Sequence, residues 1–198
     1  MSGPVDAPAV VMFHAYQATS AEWVEVARLL AGERRIYVVD MMGDAGHSVP
    51  GDRAIVSPDE LTLLDPTMCF APLLPAYVIR ATPTLLRPTS ARRRSLVRWE
   101  SRRKSIDPEW LELTAAAAEL EGPSRTVPTK IPSAATMATL KPPSLVIVAG
   151  ASRVHHVKRV GSKAAQRIKA GRVETVADAS HYGLPLTHAG QIATLMLG

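Results

Sequence analysis

A single cysteine, Cys69, stands in the 198 residues, so no disulfide forms within the chain. A lone thiol fits a reducing, cytoplasmic setting. Aromatic residues are scarce: two Phe, four Tyr and three Trp leave little material for the stacked rings on which single-stranded nucleic acids are held. No apolar run approaches the roughly 18 residues of a membrane span. The first residues, MSGPVDAPAVVMF, lack the basic start and cleavable apolar core of a secretion signal. These absences predict a soluble, cytoplasmic protein with no membrane and no specific nucleic-acid partner. The formal net charge of +5 gives only a general attraction to polyanions.

What is present suffices for a core. The chain is 46% hydrophobic and 21% charged, an ordinary globular mixture. At this length folding hides roughly 70% of the unfolded surface, so one compact domain needs no staples.

The pattern alternates strands and helices at both ends. Residues 9–13 (AVVMF) read as a buried strand, and AEWVEVARLLAGERR as a helix with Ser20 as N-cap, Trp23, Val26, Leu29 and Leu30 on one face and Gly32 as stop. Residues 35–40 (RIYVVD) read as the next strand, followed by the glycine-rich MMGDAGHSVPG. Two short apolar strands around one amphipathic helix predict a βαβ unit. Residues 61–65 (LTLLD) give another strand, with too little chain before it for a proper crossover helix. Between Pro66 and Pro143 prolines recur among helical fragments, the best being 90–104 and 107–122, the latter with Asp107 as N-cap and Pro108 at the first helical position. The sheet pattern returns with a strand at 144–150, a helix at 157–171, a strand at 172–177 and a closing helix at 187–197.

Several residues carry possible chemistry. His14, Ala15 and Tyr16 follow the first strand at its carboxyl end, where open α/β sheets place their ligand crevice and where backbone N–H groups can hold an oxyanion. His181 lies in the small-residue loop DASHYGLPLTH after the last strand, suited to a general base. His155, His156 and His188 have no carboxylate or thiolate at metal-ligand spacing and read as surface residues, so no metal or cofactor is expected. Seven cations between Arg92 and Lys104 read as a solvated helix face resting on Leu96, Val97 and Trp99. Gly46-His47-Ser48 opens like a nucleophile elbow, but Pro50 stands where that motif needs glycine. Gly150-Ala151-Ser152 follows a strand directly and is broken by Arg153 and Val154. Cys69 reads as a small core residue.

Taken in order, these pieces resemble the α/β-hydrolase family, in particular the single-domain, esterase-like serine hydrolases of actinobacterial type. AVVMFHAYQATSAEW is similar to that family's strand, oxyanion loop and helix start, and RIYVVDMMGDAGHSVPG to its next strand and glycine-rich loop. LTLLDPTMCFAPL is similar to the strand leading into the cap, SLVIVAGASRV to the acid-bearing strand, and DASHYGLPLTH to the catalytic-histidine loop. The resemblance spans nearly the whole chain. It implies a three-layer α/β fold on a mostly parallel sheet, with a core of 1–65 and 142–198 and a helical cap of 66–141. It also implies His181 as catalytic base, Asp65 as its acid and His14, Ala15 and Tyr16 at the oxyanion site. Arg153 occupies the family's usual acid position.

One unit of the family is absent. Between Glu60 and Leu61, where its members carry the nucleophile strand, the Gly-x-Ser-x-Gly elbow and the helix behind it, this chain passes straight on. A strand–turn–helix unit with its lead-in needs roughly 30 residues. The expectation is a fold shortened by an internal deletion, resembling carboxylic-ester hydrolases but inactive or severely impaired. Two alternatives stand beside it: an active hydrolase using Ser48, Ser152 or Cys69 on a small ester-like substrate, or a binding module using the basic helix 90–104. An unpaired sheet edge left by the deletion would also let copies associate.

Overall fold

A computed structural model of the protein describes residues 1–14, 18–40, 63–64, 70–102, 106–120, 129–130, 133–139, 144–169 and 171–198. Strand β1 (Ala9–Phe13) leads through a 3-10 turn (Ser20–Trp23) into helix α1 (Val24–Leu30) and on to β2 (Arg35–Val39). The two strands pair in parallel, Ala9 opposite Arg35 and Phe13 opposite Val39, so the expected βαβ unit is present. Its cap differs by one residue. Thr19 accepts the Ala21 N–H at 3.2 Å, while the Ser20 N–H donates to Asp40 Oδ1 at 2.8 Å and fastens the turn to the end of β2.

Strand β3 (Leu63–Leu64) precedes three helices, α2 (Pro75–Leu86), α3 (Ser90–Glu100) and α4 (Pro108–Leu120). Asp107 caps α4 as its sequence predicts, accepting the Glu109 N–H at 2.7 Å and the Trp110 N–H at 3.4 Å. Helix α3 ends four residues earlier than its pattern predicts, because Arg102 turns to φ 56° and breaks the helical path. A short β4 (Thr129–Lys130) then pairs in parallel with β3. The segment 66–141, expected from sequence as a layer of helical fragments between prolines, also returns a strand to β3.

After α5 (Ala134–Ala138) comes a second βαβ unit: β5 (Ser144–Ala149), α6 (Val157–Arg167) and β6 (Gly171–Val176). Its strands pair in parallel from Ser144 opposite Gly171 to Ala149 opposite Val176. The chain closes with α7 (Leu184–Thr187) and α8 (Ala189–Leu197).

The period-two alternation of a strand sorts β5 into two faces. Val146 and Val148 pack with Val160, Ala164 and Ile168 and with Phe70 and Met137. Ile147 turns the other way, into a cluster built on Met12, Ile36, Val26, Leu30, Ile192 and Ala193. Helices thus cover both faces of β5, with α6 on one side and α1 and α8 on the other. The two faces of the β1–β2 pair differ: Met12 and Ile36 are buried on one, whereas Val11 and Phe13 on the other are more than half exposed. Among the described residues every strand pairing is parallel, in three pairs, and no helix is long and apolar enough to cross a membrane.

Candidate functional site

The carboxyl ends of parallel strands gather loops at one edge of a sheet, and the candidate residues lie there. Gly150 and Ala177 let β5 and β6 close at that edge. A Cβ on Gly150 would fall 2.5 Å from the Ala177 carbonyl oxygen, so only glycine permits the approach. The Gly150 N–H donates to Val176 O at 2.8 Å and the Ala151 N–H to Ala179 O at 2.9 Å, joining the loops that follow the two strands.

This closure brings His155 and His181 together, ring centres 5.2 Å apart and planes inclined by 63°. His155 is 5% exposed, which overturns its sequence reading as a surface residue. The reason lies in its neighbours: Ser152 Oγ accepts the Val154 N–H at 3.1 Å and the His155 N–H at 3.3 Å. The Leu74 N–H, donating to Val154 O at 2.8 Å, ties that turn to the start of α2. His156 next to it is exposed. Behind His181, the buried Ser180 accepts the Gly183 N–H at 3.0 Å. A Cβ on Gly183 would lie 2.7 Å from Ser180 Oγ, so a side chain there would displace the hydroxyl that holds the turn presenting His181.

His188 is not a bare surface group either. Its Nε2 lies 3.1 Å from Asp178 Oδ1 and its Nδ1 2.7 Å from Thr187 Oγ1, which fixes the joint between α7 and α8. His14 is buried just beyond β1, where it was expected. Ala15, Tyr16, Asp65, Ser48 and Cys69 lie outside the described residues. Among the described residues no cluster of three or more His, Cys, Asp or Glu has the arrangement of a metal centre.

Arg153, at the position where the resemblance places an acid, turns away from the imidazoles. Its Nη1 donates to Trp99 O at 3.0 Å and its guanidinium sits 4.9 Å from the Trp99 ring centre. A carboxylate there would hold an imidazole by its N–H; a guanidinium, with donors only, cannot.

A second polar cluster is buried where the helical layer meets the core. Arg93, assigned by its run of cations to a solvated face, is buried, as are Glu100 and Glu22. The Arg93 guanidinium lies 5.8 Å over the Tyr182 ring, one residue from His181. Burial pushes the Glu100 carboxyl up to about 7, against the partial pull of Arg93. Burial, then Glu100, pushes the Tyr77 hydroxyl up to about 12, and burial raises Tyr182 as well. The one available signal was Glu100 itself, the single acid in a run of arginines, spaced i+7 from Arg93 and so on the same helix face.

No family profile matches the chain, and no curated protein matches its sequence. Solved structures do resemble it. The chain superposes on the carboxylesterase CesB of Bacillus subtilis with a TM-score of 0.82 at 17% identity, covering 99% of this chain and 84% of that one. Naproxen esterase, also from Bacillus subtilis, gives 0.77 at 16%, with 99% and 85% covered. An enol-lactonase from Burkholderia xenovorans gives 0.67 at 14%, with 99% and 93% covered. The likeness is one of fold: the chain has the α/β-hydrolase fold that these proteins share.

Proposed function

We propose that this protein is an α/β-hydrolase-type chain derived from carboxylic-ester hydrolases that has lost its nucleophile unit, and with it most or all of its catalysis. One observation carries the reading: nearly the whole chain follows an esterase fold, yet its sequence holds no Gly-x-Ser-x-Gly. The stretch between Val39 and Leu63, which separates β2 from β3, is shorter than the roughly 30 residues of a strand–helix unit. The match leaves about a sixth of CesB unaccounted for, room for such a unit. The exposed face of β1 with Val11 and Phe13 is where a covering helix would be missed.

The chemistry agrees. Acyl transfer of this type needs a nucleophilic oxygen, a base within reach and an acid orienting that base. His181 remains at the strand ends as the base, with His14, Ala15 and Tyr16 as the oxyanion loop and Asp65 as the acid. Arg153 replaces the acid at its usual place. Without a nucleophile, what remains is transition-state binding by the oxyanion loop, a residual acceleration on the order of a thousandfold in serine proteases that have lost triad members.

The test is a fluorophosphonate serine-hydrolase probe, with hydrolysis of a short p-nitrophenyl ester followed in parallel on the unmutated protein and on His181→Ala. The expected result is no labelling where a control esterase labels fully, and hydrolysis indifferent to His181→Ala. Labelling that disappears in Ser48→Ala or Ser152→Ala would overturn the reading and establish an active hydrolase.

A further inference from the structure

We propose that the outer face of the helical layer binds a single-chain anionic amphiphile, an alkyl or acyl phosphate, with its head group among arginines and its chain in an adjoining apolar slot. A groove of about 1000 Å³ opens between α3, α4 and the loop after β5. Arg80, Arg94, Arg98, Arg102 and Arg153 line it together with Trp99. These cations come from three separate parts of the chain: α3 brings Arg94 and Arg98 to one face by their spacing of four, and the turn that ends the helix adds Arg102. Among the described residues, the ion pair drawn on any of them is that of Arg94 with Glu112, at 2.7 Å. Converging like charges repel, so a concave cluster of this kind favours an anion.

The guanidinium groups are also held in place. Arg80 Nη2 donates to Ser95 Oγ at 2.6 Å, Arg102 Nε to Ala151 O at 3.1 Å and Arg153 Nη1 to Trp99 O at 3.0 Å. Each bond occupies one of the five N–H donors of its side chain and leaves the others for a ligand. Arg102 reaches Ala151 from a backbone at φ 56°, a conformation that L-residues with side chains adopt at a cost. Fixed, forked donors suit the oxygens of a phosphate.

The chain of the ligand has its own place. A second slot of about 420 Å³, lined by Ala76, Ile79 and Pro83, shares Arg80 and Trp99 with the groove. Ile79 is 75% exposed, and two turns further along α2, Leu86 is 81% exposed, so an apolar track continues from the slot. An anion alone would leave this surface in water, and a neutral chain alone would leave the arginines uncompensated. A ligand with both parts satisfies both. His181 is not among the residues lining the groove, and the proposal does not depend on ester hydrolysis.

The test is calorimetric titration of the full chain with decyl phosphate, kept below its micelle-forming concentration. Inorganic phosphate and decyl maltoside serve as head and chain alone. Saturable binding of decyl phosphate is expected, at least tenfold tighter than phosphate, with no binding of the maltoside. Arg98→Ala, a change at an exposed side chain, should weaken decyl phosphate roughly tenfold, the scale of one charge-assisted hydrogen bond. Ile79→Ser should weaken decyl phosphate and leave phosphate unchanged. Equal affinity for phosphate and decyl phosphate, indifference to Arg98→Ala, or binding only to vesicles containing phosphatidylserine would each overturn the proposal, the last by showing a surface rather than a site.

Discussion

Glu100 closes a helix whose other ionic side chains are arginines, and it is turned inward beside Arg93, against Tyr77 and under the layer that reaches Tyr182. Because burial raises its folded-state pKa from 4.5 to about 7, the neutral carboxyl stabilises the fold and the ionised one opposes it. Below the unfolded value both states are protonated and the stabilisation is complete. It is lost as pH rises through about 7, where the folded protein must carry a buried charge. The expected outcome is that Glu100→Gln is more stable than the unmutated protein at pH 8, by up to about 3 kcal/mol, and that the difference shrinks as pH falls below about 7 and closes only below about 4.5. Melting curves from pH 4 to 8 read this directly, and a difference that stays constant across that range would show that Glu100 is solvated. None of this was legible in the run SARRRSLVRWE, where Arg93 is indistinguishable from Arg92 and Arg94. Arg92 donates to the Pro83 and Arg87 carbonyls at the end of α2, Arg94 pairs with Glu112, and Arg93 enters the core. Charge runs are read as solvated because a buried cation needs specific partners, and those partners come from distant segments. His155 was missed for the same reason: its burial depends on a turn held by Ser152 and on a chain crossing from residue 74.

The strands β1, β2, β5 and β6 were legible because each is a short run dense in Val, Ile or Leu between breakers, the signature of a strand buried in a parallel sheet. Helix α4 was legible because its cap, first-turn proline and apolar spacing agree. Replacing Asp107 by Ala removes the acceptor of the Glu109 and Trp110 N–H groups. It should cost about 1 kcal/mol, seen as a lower urea midpoint at unchanged slope, while Asp107→Asn should be nearly neutral. Strand β4 escaped notice since Thr129–Lys130 carries no apolar pattern, and its pairing with β3 depends on where the chain returns. The ends of α3 and α6 came earlier than their periodicity predicts, because periodicity marks a face, and what stops a helix is a local backbone turn such as that at Arg102.

For the molecule as a whole, the layered arrangement is uneven. Among the described residues helices cover both faces of β5, whereas one face of the β1–β2 pair leaves Val11 and Phe13 more than half exposed. Ile36→Ala on the covered face should lose about 2–5 kcal/mol, since a fully buried side chain leaves a cavity. Phe13→Ser on the other face, a change of equal drama in a sequence, should lose less than about 1 kcal/mol because that ring is already 55% exposed. Urea unfolding of the two variants side by side measures the asymmetry, and a large loss for Phe13→Ser would mean that the face is covered after all. The order of strands and helices made the α/β-hydrolase likeness legible from sequence; the bare face was not, since AVVMF reads as equally buried on both sides.

The helix end and the loop after β5 are clasped in both directions, Arg102 donating to the Ala151 carbonyl while Arg153 donates to that of Trp99. A covering layer held this way does not swing on a hinge. Its amides should open to solvent deuterium only when the sheet does, so that α3 and β5 exchange as one cooperative unit, and Arg153→Ala should release α3 to exchange first.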